Sequence, residues 1–333
     1  MRLSIRRSTT AVAAVASLTL CVAACGGGGS AGGDSGSVEG AKVAIVGPLA
    51  GDPYYQEVAC GARTAGKKLG MDVGEQQASQ NQSQAAQNTI VQNVLSTSPR
   101  ALIYTPADPV AGGIPLRSAK QDGVFVADVD AQLDDDDLYD TFVASDHYDG
   151  AKKITTALAE MIGGKGEIAA IGSLPSNPIT QARIKGFEAA LKDYPDIKVV
   201  SVSYPDISPS AIQSNASSTL VKYPDLKAIY TTNYLNSTGA AVALRNADAV
   251  GKVKMVSWDT GSDNIKLLQE GSLQATVAQQ PFKMGEMAIE QIAREIRGEK
   301  VSKKVSAPTT ILTSQDVDTP EGKELRYQGS CSA

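Results

Sequence analysis

The chain has 333 residues, 42% hydrophobic, 20% charged and 5% aromatic, with 31 Lys and Arg against 36 Asp and Glu. A net charge of −5 argues against a basic nucleic-acid binder, which needs clustered Lys and Arg to neutralise phosphates, and the apolar fraction argues against wholesale disorder. A single histidine, His147, excludes a His-rich zinc site.

Arg2, Arg6 and Arg7 precede an apolar stretch from Thr9 to Ala24 that is too short and too rich in Ala for a bilayer-spanning helix. Residues 1–24 read as a signal peptide. Val22-Ala23-Ala24-Cys25 resembles the bacterial lipobox, whose cysteine is acylated through sulfur and becomes the new N-terminus. Cys25 is therefore the expected lipidation site, whereas Cys21 follows the bulky Leu20 and suits it less. Loss of the three arginines takes the net charge from −5 to −8. Residues 25–41 read as a tether: Gly26 to Gly40 holds eight glycines and three serines, a flexible coil reaching roughly 20 Å.

Beyond the tether, strand-like and helix-like runs alternate. Lys42 to Gly47 is a β-branched run ending in a Gly/Pro/Asp turn, followed by a helix over about Tyr54–Leu69 and a second over Asn81–Leu95. Ala101–Tyr104 and Val124–Val129 read as strands. From Tyr148 the apolar residues Ala151, Ile154, Leu158, Met161 and Ile162 recur at helical spacing. Strand runs follow at Glu167–Ile171, Val199–Val202, Ala228–Tyr230 and Val253–Trp258, and Met284, Ala288, Ile292 and Ile296 stripe a helix over Lys283–Arg297. Repeated βα units with near-continuous apolar strands predict an α/β protein with two doubly wound parallel-sheet lobes. Ligands of such sheets sit at the carboxyl ends of strands.

Those strand ends carry Asp52, Tyr54 and Tyr55; Asp128 and Asp130; Asn177, Gln181 and Arg183; Asn233; Trp258 and Asp259; and Gln279. Planar carboxylates, amides and a guanidinium each engage two neighbouring hydroxyls, and tyrosine faces cover the C–H faces of a sugar ring. The selection suits a neutral polyhydroxylated ligand. Several members also have structural readings: Asp52 as a helix cap, Asn233 in a turn, Gln279 in a crossing between lobes, Trp258 in the core.

The ordered motifs resemble the ribose/galactose-type periplasmic binding proteins, the type I solute receptors of ABC importers. Asp52-Pro53-Tyr54-Tyr55 is similar to that family's Asn-Pro-Phe-Phe, and Ala144-Ser145-Asp146 to its Ala-Ser-Asp crossing. Arg183 with Gly186-Phe187 matches Arg-x-x-Gly-Phe, and Asn233 with Gly239 matches Asn-Asp-x-x-x-x-Gly. Val256 to Asp259 and Ala278 to Pro281 match Val-Gly-Phe-Asp and Ala-Gln-x-Pro. The resemblance implies a cleft lined by Asp52, Tyr54, Tyr55, Asp130, Asn233, Asp259 and Gln279; the strand-end reading adds Asp128, Gln181 and Arg183. Ribose binders of the family carry arginine where this chain has Ala131 and Gln181, which points away from ribose and toward another pentose, a hexose or a polyol.

Two features invite metal or phosphate readings. Asp134–Asp137 lacks the loop glycine and terminal bidentate Glu of an EF-hand, and Gly163-Gly164-Lys165-Gly166 lacks the Ser or Thr of a phosphate loop and reads as a turn. No metal, cofactor or catalytic residue is expected. With Cys21 removed and Cys25 lipidated, Cys60 and Cys331 are the remaining thiols outside the cell and are expected to pair, the competing reading being a buried Cys60 and a free Cys331.

The resulting expectation is a monomeric extracytoplasmic lipoprotein, without enzymatic activity, that captures a sugar or polyol and delivers it to ABC permease subunits. It would contact the outer face of the cytoplasmic membrane only through its anchor, and bind no nucleic acid. A three-strand hinge would join an N-terminal lobe of residues 42–145 and 280–308 to a C-terminal lobe of 146–279 and 309–316, with an irregular tail over 317–333. Presentation of the ligand to a membrane sensor is an alternative role, and a secreted carbohydrate-modifying enzyme a more distant one.

Overall fold

A computed structural model of the chain describes residues 36–80, 83–329 and 331. The signal peptide, Cys25 and most of the tether lie outside the described residues. From Lys42 the chain alternates β1 (Lys42–Gly47), α1 (Pro53–Lys68), β2 (Asp72–Ala78), α2 (Gln84–Leu95), β3 (Ala101–Tyr104), α3 (Leu116–Gln121), β4 (Phe125–Val129) and β5 (Thr141–Ser145). A second series follows: α4 (His147–Met161), β6 (Lys165–Ile171), α5 (Pro178–Leu191), β7 (Asp196–Ser203), α6 (Pro209–Lys222), β8 (Leu226–Thr231), α7 (Tyr234–Asn246), β9 (Lys254–Trp258), α8 (Ser262–Gln269) and β10 (Ala275–Ala278). The chain ends with α9 (Pro281–Ile296), β11 (Lys304–Ala307), β12 (Thr310–Thr313) and α10 (Pro320–Glu324).

Helix starts are written locally. Asp52, Ser83, Asn177, Ser208 and Asn233 are side-chain N-caps of α1, α2, α5, α6 and α7, and proline occupies the first turn of α1, α5, α6 and α9. Each cap satisfies an otherwise orphaned amide of the first turn, and proline there loses no helical hydrogen bond. Gly163 and Gly164, with φ of +71° and +70°, turn the chain from α4 into β6.

The strands form two six-stranded sheets, β11-β5-β4-β3-β1-β2 and β12-β10-β9-β8-β6-β7. All pairings are parallel except β10–β12, which is antiparallel. The predicted fold class is therefore what the structure has. Central strands such as β3 (Ala-Leu-Ile-Tyr) are buried along their whole length, as required of strands covered by helices on both faces. The chain passes between the sheets three times: from β5 to α4 and β6, from β10 through α9 to β11, and from β11 to β12. The helix α9 packs on α1, among the same core residues as β1, β3, β4 and β5.

β2 carries no apolar alternation and lies at the edge of its sheet, partly exposed throughout, which is why the sequence does not announce it. The tail is not wholly irregular: α10 starts at a Thr319 cap followed by Pro320. The sequence-expected pair forms a disulfide between Cys60, buried on α1, and Cys331, with Cα atoms 5.2 Å apart. Asp135 caps a short 3₁₀ turn by accepting from the Asp137 amide, so the acidic run 134–137 has a local backbone role.

Candidate functional site

Asp130 and Asp259 follow β4 and β9, matching strands of the two sheets. Both adopt left-handed backbone, with φ of +69° and +79°, and each amide donates to the neighbouring strand, Asp130 to Val143 of β5 and Asp259 to Val277 of β10. Non-glycine residues seldom accept that conformation, Asp and Asn most readily. The turn takes each carboxylate out of the alternation of its strand.

The carboxylates meet side chains from several elements. Tyr54 and Tyr55, at the start of α1, donate to the two oxygens of Asp130 at 2.8 and 3.2 Å. Gln279, just after β10, donates to Asp259 Oδ1 at 2.7 Å, and its carbonyl accepts a long 3.4 Å bond from Tyr54. Tyr327, from the tail, donates to the same Asp259 oxygen at 3.2 Å, and its ring meets that of Tyr54 edge-on with centroids 5.5 Å apart. Asp130, Tyr54, Gln279 and Asp259 thus form one continuous hydrogen-bonded chain linking residues of the two sheets.

Arg183, nearly fully buried on α5, donates to the Thr232 carbonyl at 2.6 Å, contacts His147 Nδ1 at 3.3 Å, and stacks over the Trp258 ring at 3.8 Å. Its Nε has no hydrogen-bond partner. Burial, then the Arg183 charge, holds the His147 imidazole well below its ordinary range, so the ring is neutral at pH 7. Burial raises the Asp130 carboxyl, against the opposing effects of the Tyr54 hydrogen bond, the Arg183 charge and the Tyr55 hydrogen bond. Burial likewise raises Asp52, with the Tyr54 and Tyr55 amides opposing it. The arrangement is an array of fixed acceptors and donors with phenol rings beside them, suited to holding hydroxyl groups.

The structure places the sequence-selected residues unevenly. Tyr54, Tyr55, Asp130, Asp259 and Gln279 come together in the bonded set, with Asp52 and Arg183 close enough for their charges to act on it. Asp52 is also the α1 cap, accepting from the Tyr54 amide at 2.9 Å. Asn233 caps α7 through the Asn236 amide and donates to Ser173 Oγ at 2.6 Å, so its known partners are structural. Asp128 is not hydrogen-bonded to the set: it is fully buried, one oxygen accepting from the Leu133 amide and the other without a partner. The left-handed turn at Asp130 is what separates the two aspartates that simple alternation puts on one face. Gln181 is exposed on α5 and donates back to the Pro175 carbonyl, apart from the set. Trp258 is core, fully buried and donating to Tyr230 at 3.0 Å. Sequence reading missed Tyr327 as a member; its signal was proximity in sequence to Cys331, whose bond to Cys60 brings the tail to α1.

A family described as a periplasmic binding protein domain matches residues 43–300. The ribose import binding protein RbsB of Bacillus subtilis is 26% identical over 265 residues, spanning 79% of this chain and 84% of that protein. The D-allose-binding periplasmic protein of Escherichia coli is 25% identical over 275 residues, spanning 80% and 88%. Among solved structures, a periplasmic ribose ABC transporter protein from Conexibacter woesei superposes with a TM-score of 0.82 at 22% identity, covering 88% of this chain and 99% of that one. An ABC transporter solute binding protein from Agrobacterium vitis with bound D-fucose gives 0.74 at 25% identity, covering 86% and 100%.

Proposed function

The chain belongs to the periplasmic binding protein family, and on that premise we propose that it is an extracytoplasmic receptor that captures a sugar or polyol between two lobes and delivers it to the transmembrane subunits of an ABC importer. The observation that carries the reading is the pair of left-handed aspartates, Asp130 and Asp259, one from each sheet, joined through Tyr54 and Gln279. Carboxylates from both sheets converging on one place are what a ligand held between two lobes requires, because closure alone then satisfies both sets of groups. The named relatives that bind ribose and allose, and the fold neighbour holding D-fucose, support a sugar as the ligand class.

In this reading Asp52, Tyr54, Tyr55, Asp130, Arg183, Asn233, Asp259 and Gln279 contact the ligand, with the aspartates accepting from hydroxyls and the tyrosine rings covering C–H faces. Ala131 supplies no guanidinium where the family's ribose binders carry one, which favours another pentose, a hexose or a polyol over ribose as the ligand. The lobes divide at 145/146, 279/280 and 308/309, and lipid on Cys25 holds the receptor at the outer face of the cytoplasmic membrane. The side chains act as binding groups and carry out no bond chemistry.

A thermal-shift screen of pentoses, hexoses, inositols and small polyols tests the reading, with D-allose, D-apiose, D-arabinose, D-fucose and D-tagatose among them. A ligand present at 100 times its Kd adds about 2.7 kcal/mol of stability. Stabilisation by at least one compound, lost in Asp259→Ala, is the expected result. A flat response to the whole panel would count against sugar capture, and full affinity in Asp259→Ala against the site.

A further inference from the structure

The chain does not end at its last strand. After β12 it forms α10 and then runs across both cores: Leu325 packs on the core cluster of the second sheet, and Tyr327, two residues on, on that of the first. Each step is fastened. The Leu325 carbonyl accepts from the Thr260 hydroxyl and the Tyr327 amide donates to the Thr260 carbonyl, both next to Asp259. The Gln328 amide then donates to the carboxylate of Glu57, a buried side chain on α1, and Gly329, at φ +65°, turns the chain beside Pro53. The Cys60–Cys331 disulfide closes the run onto α1. Glu57 sits in the same helix as Tyr54 and Tyr55.

We propose that the C-terminal tail completes the binding cleft, with Tyr327 as a ligand-contacting residue that the Cys60–Cys331 bond holds in place. The inference rests on the sugar-receptor reading above. Tyr327 donates to Asp259 Oδ1 and lies edge-on to the Tyr54 ring, so its hydroxyl and ring touch two groups assigned to the ligand. A phenol both donates and accepts, whereas the aspartates beside it only accept when ionised. Tyr327 gives its one hydroxyl proton to Asp259, which leaves its oxygen free to accept from a sugar hydroxyl while it shares Asp259 with the ligand. Specificity among sugars is set in part by a residue outside the two sheets, and the disulfide fixes its reach.

Titration calorimetry of the full chain with D-allose, D-apiose, D-arabinose, D-fucose and D-tagatose compares the wild type with Tyr327→Phe, Tyr327→Ala and the Cys60→Ser, Cys331→Ser double variant. Tyr327→Phe is expected to weaken the best ligand about 3- to 10-fold, the worth of one hydrogen bond, and Tyr327→Ala to weaken it further. The double variant is expected to weaken it as well, with Tyr327→Ala adding little in that background, because the two changes act through one element. Wild-type affinity in Tyr327→Ala, with circular dichroism unchanged, overturns the proposal. Should the wild type bind neither these sugars nor any compound of the wider thermal-shift panel, the receptor reading fails, and hydrogen exchange then judges the placement of the tail. Faster exchange at residues 54–57 and 259–260 in Tyr327→Ala supports Tyr327 as part of this site, and unchanged exchange there overturns it.

Discussion

At the scale of single residues, Asp128 and Asp130 show how two carboxylates on one strand acquire different physics. A sequence reader sees both as polar interruptions of an apolar run and assigns both to a ligand. The backbone decides otherwise: φ of +69° at Asp130 turns that carboxylate toward Tyr54 and Tyr55, while Asp128 keeps its place in the strand and is sealed inside. Strand-end position was legible because an apolar strand ending in Asp is conspicuous; left-handed conformation was not, since Asp adopts it only where the neighbouring strand demands it. Burial holds the Asp128 carboxyl well above its usual range, and the Leu133 amide and Lys303 only partly oppose this. The folded state then binds that proton more tightly than the unfolded chain. The contribution is most favourable below the ordinary carboxylate value of about 3.9, fades as pH rises through the raised folded value, and leaves a cost above it. Asp128→Asn, which never ionises, is expected to raise Tm at neutral pH by a few degrees, at about 2–4 °C per kcal/mol for a large domain, and to lose the advantage toward pH 4. Calorimetric scans at both pH values check this, and a Tm gain independent of pH would contradict the burial argument.

At the scale of elements, most helices and the central strands β1, β3, β4, β6, β8 and β9 were written in the chain by caps, proline starts and apolar spacing, whereas β2, β11 and β12, and the short central strands β5 and β10, were not. β2 is a polar edge strand, and the four-residue runs of β11 and β12 are too short to show a period. Their sheet membership was expected from resemblance rather than periodicity. The close contact of α1 with α9 was also invisible, because it depends on glycines meeting backbone. A Cβ on Gly285 would overlap the Val58 carbonyl and the Ala62 amide of α1, and one on Gly61 would overlap the Phe282 carbonyl of α9. Neither neighbour is a flexible side chain that yields. Gly285→Ala is accordingly expected to cost about 1–3 kcal/mol, the range for overpacked cores, despite alanine's better helix propensity. Urea unfolding measures it. Since α1 carries Tyr54 and Tyr55, the same substitution should weaken sugar binding, and unchanged stability together with unchanged affinity would show that the helices separate freely.

At the scale of the whole molecule, the Cys60–Cys331 bond joins positions 271 residues apart and so encloses most of the described chain in one covalent loop. In the chain-entropy account such a cross-link restricts chiefly the unfolded ensemble, by about 5.6 kcal/mol for a loop of this length, and native strain or residual structure in the unfolded chain reduces that figure. The consequence is separable from the role of Tyr327. Cutting the bond frees the unfolded chain whether or not the tail stays seated, so global stability should fall even where sugar affinity does not. The Cys60→Ser, Cys331→Ser variant, compared with the oxidised wild type in urea without ligand, is expected to lose roughly 3–5 kcal/mol. Reduction of the wild type should reproduce the loss, because it removes the same constraint without changing either residue's position in the chain. A bound sugar should then restore stability to both forms according to its own Kd in each, since a ligand that binds only the folded state adds RT ln(1 + [L]/Kd) irrespective of how the unfolded state is constrained. A loss under 1 kcal/mol in the double variant would mean that the tail's hydrogen bonds and packing, rather than the covalent loop, carry what the C-terminus contributes to the fold.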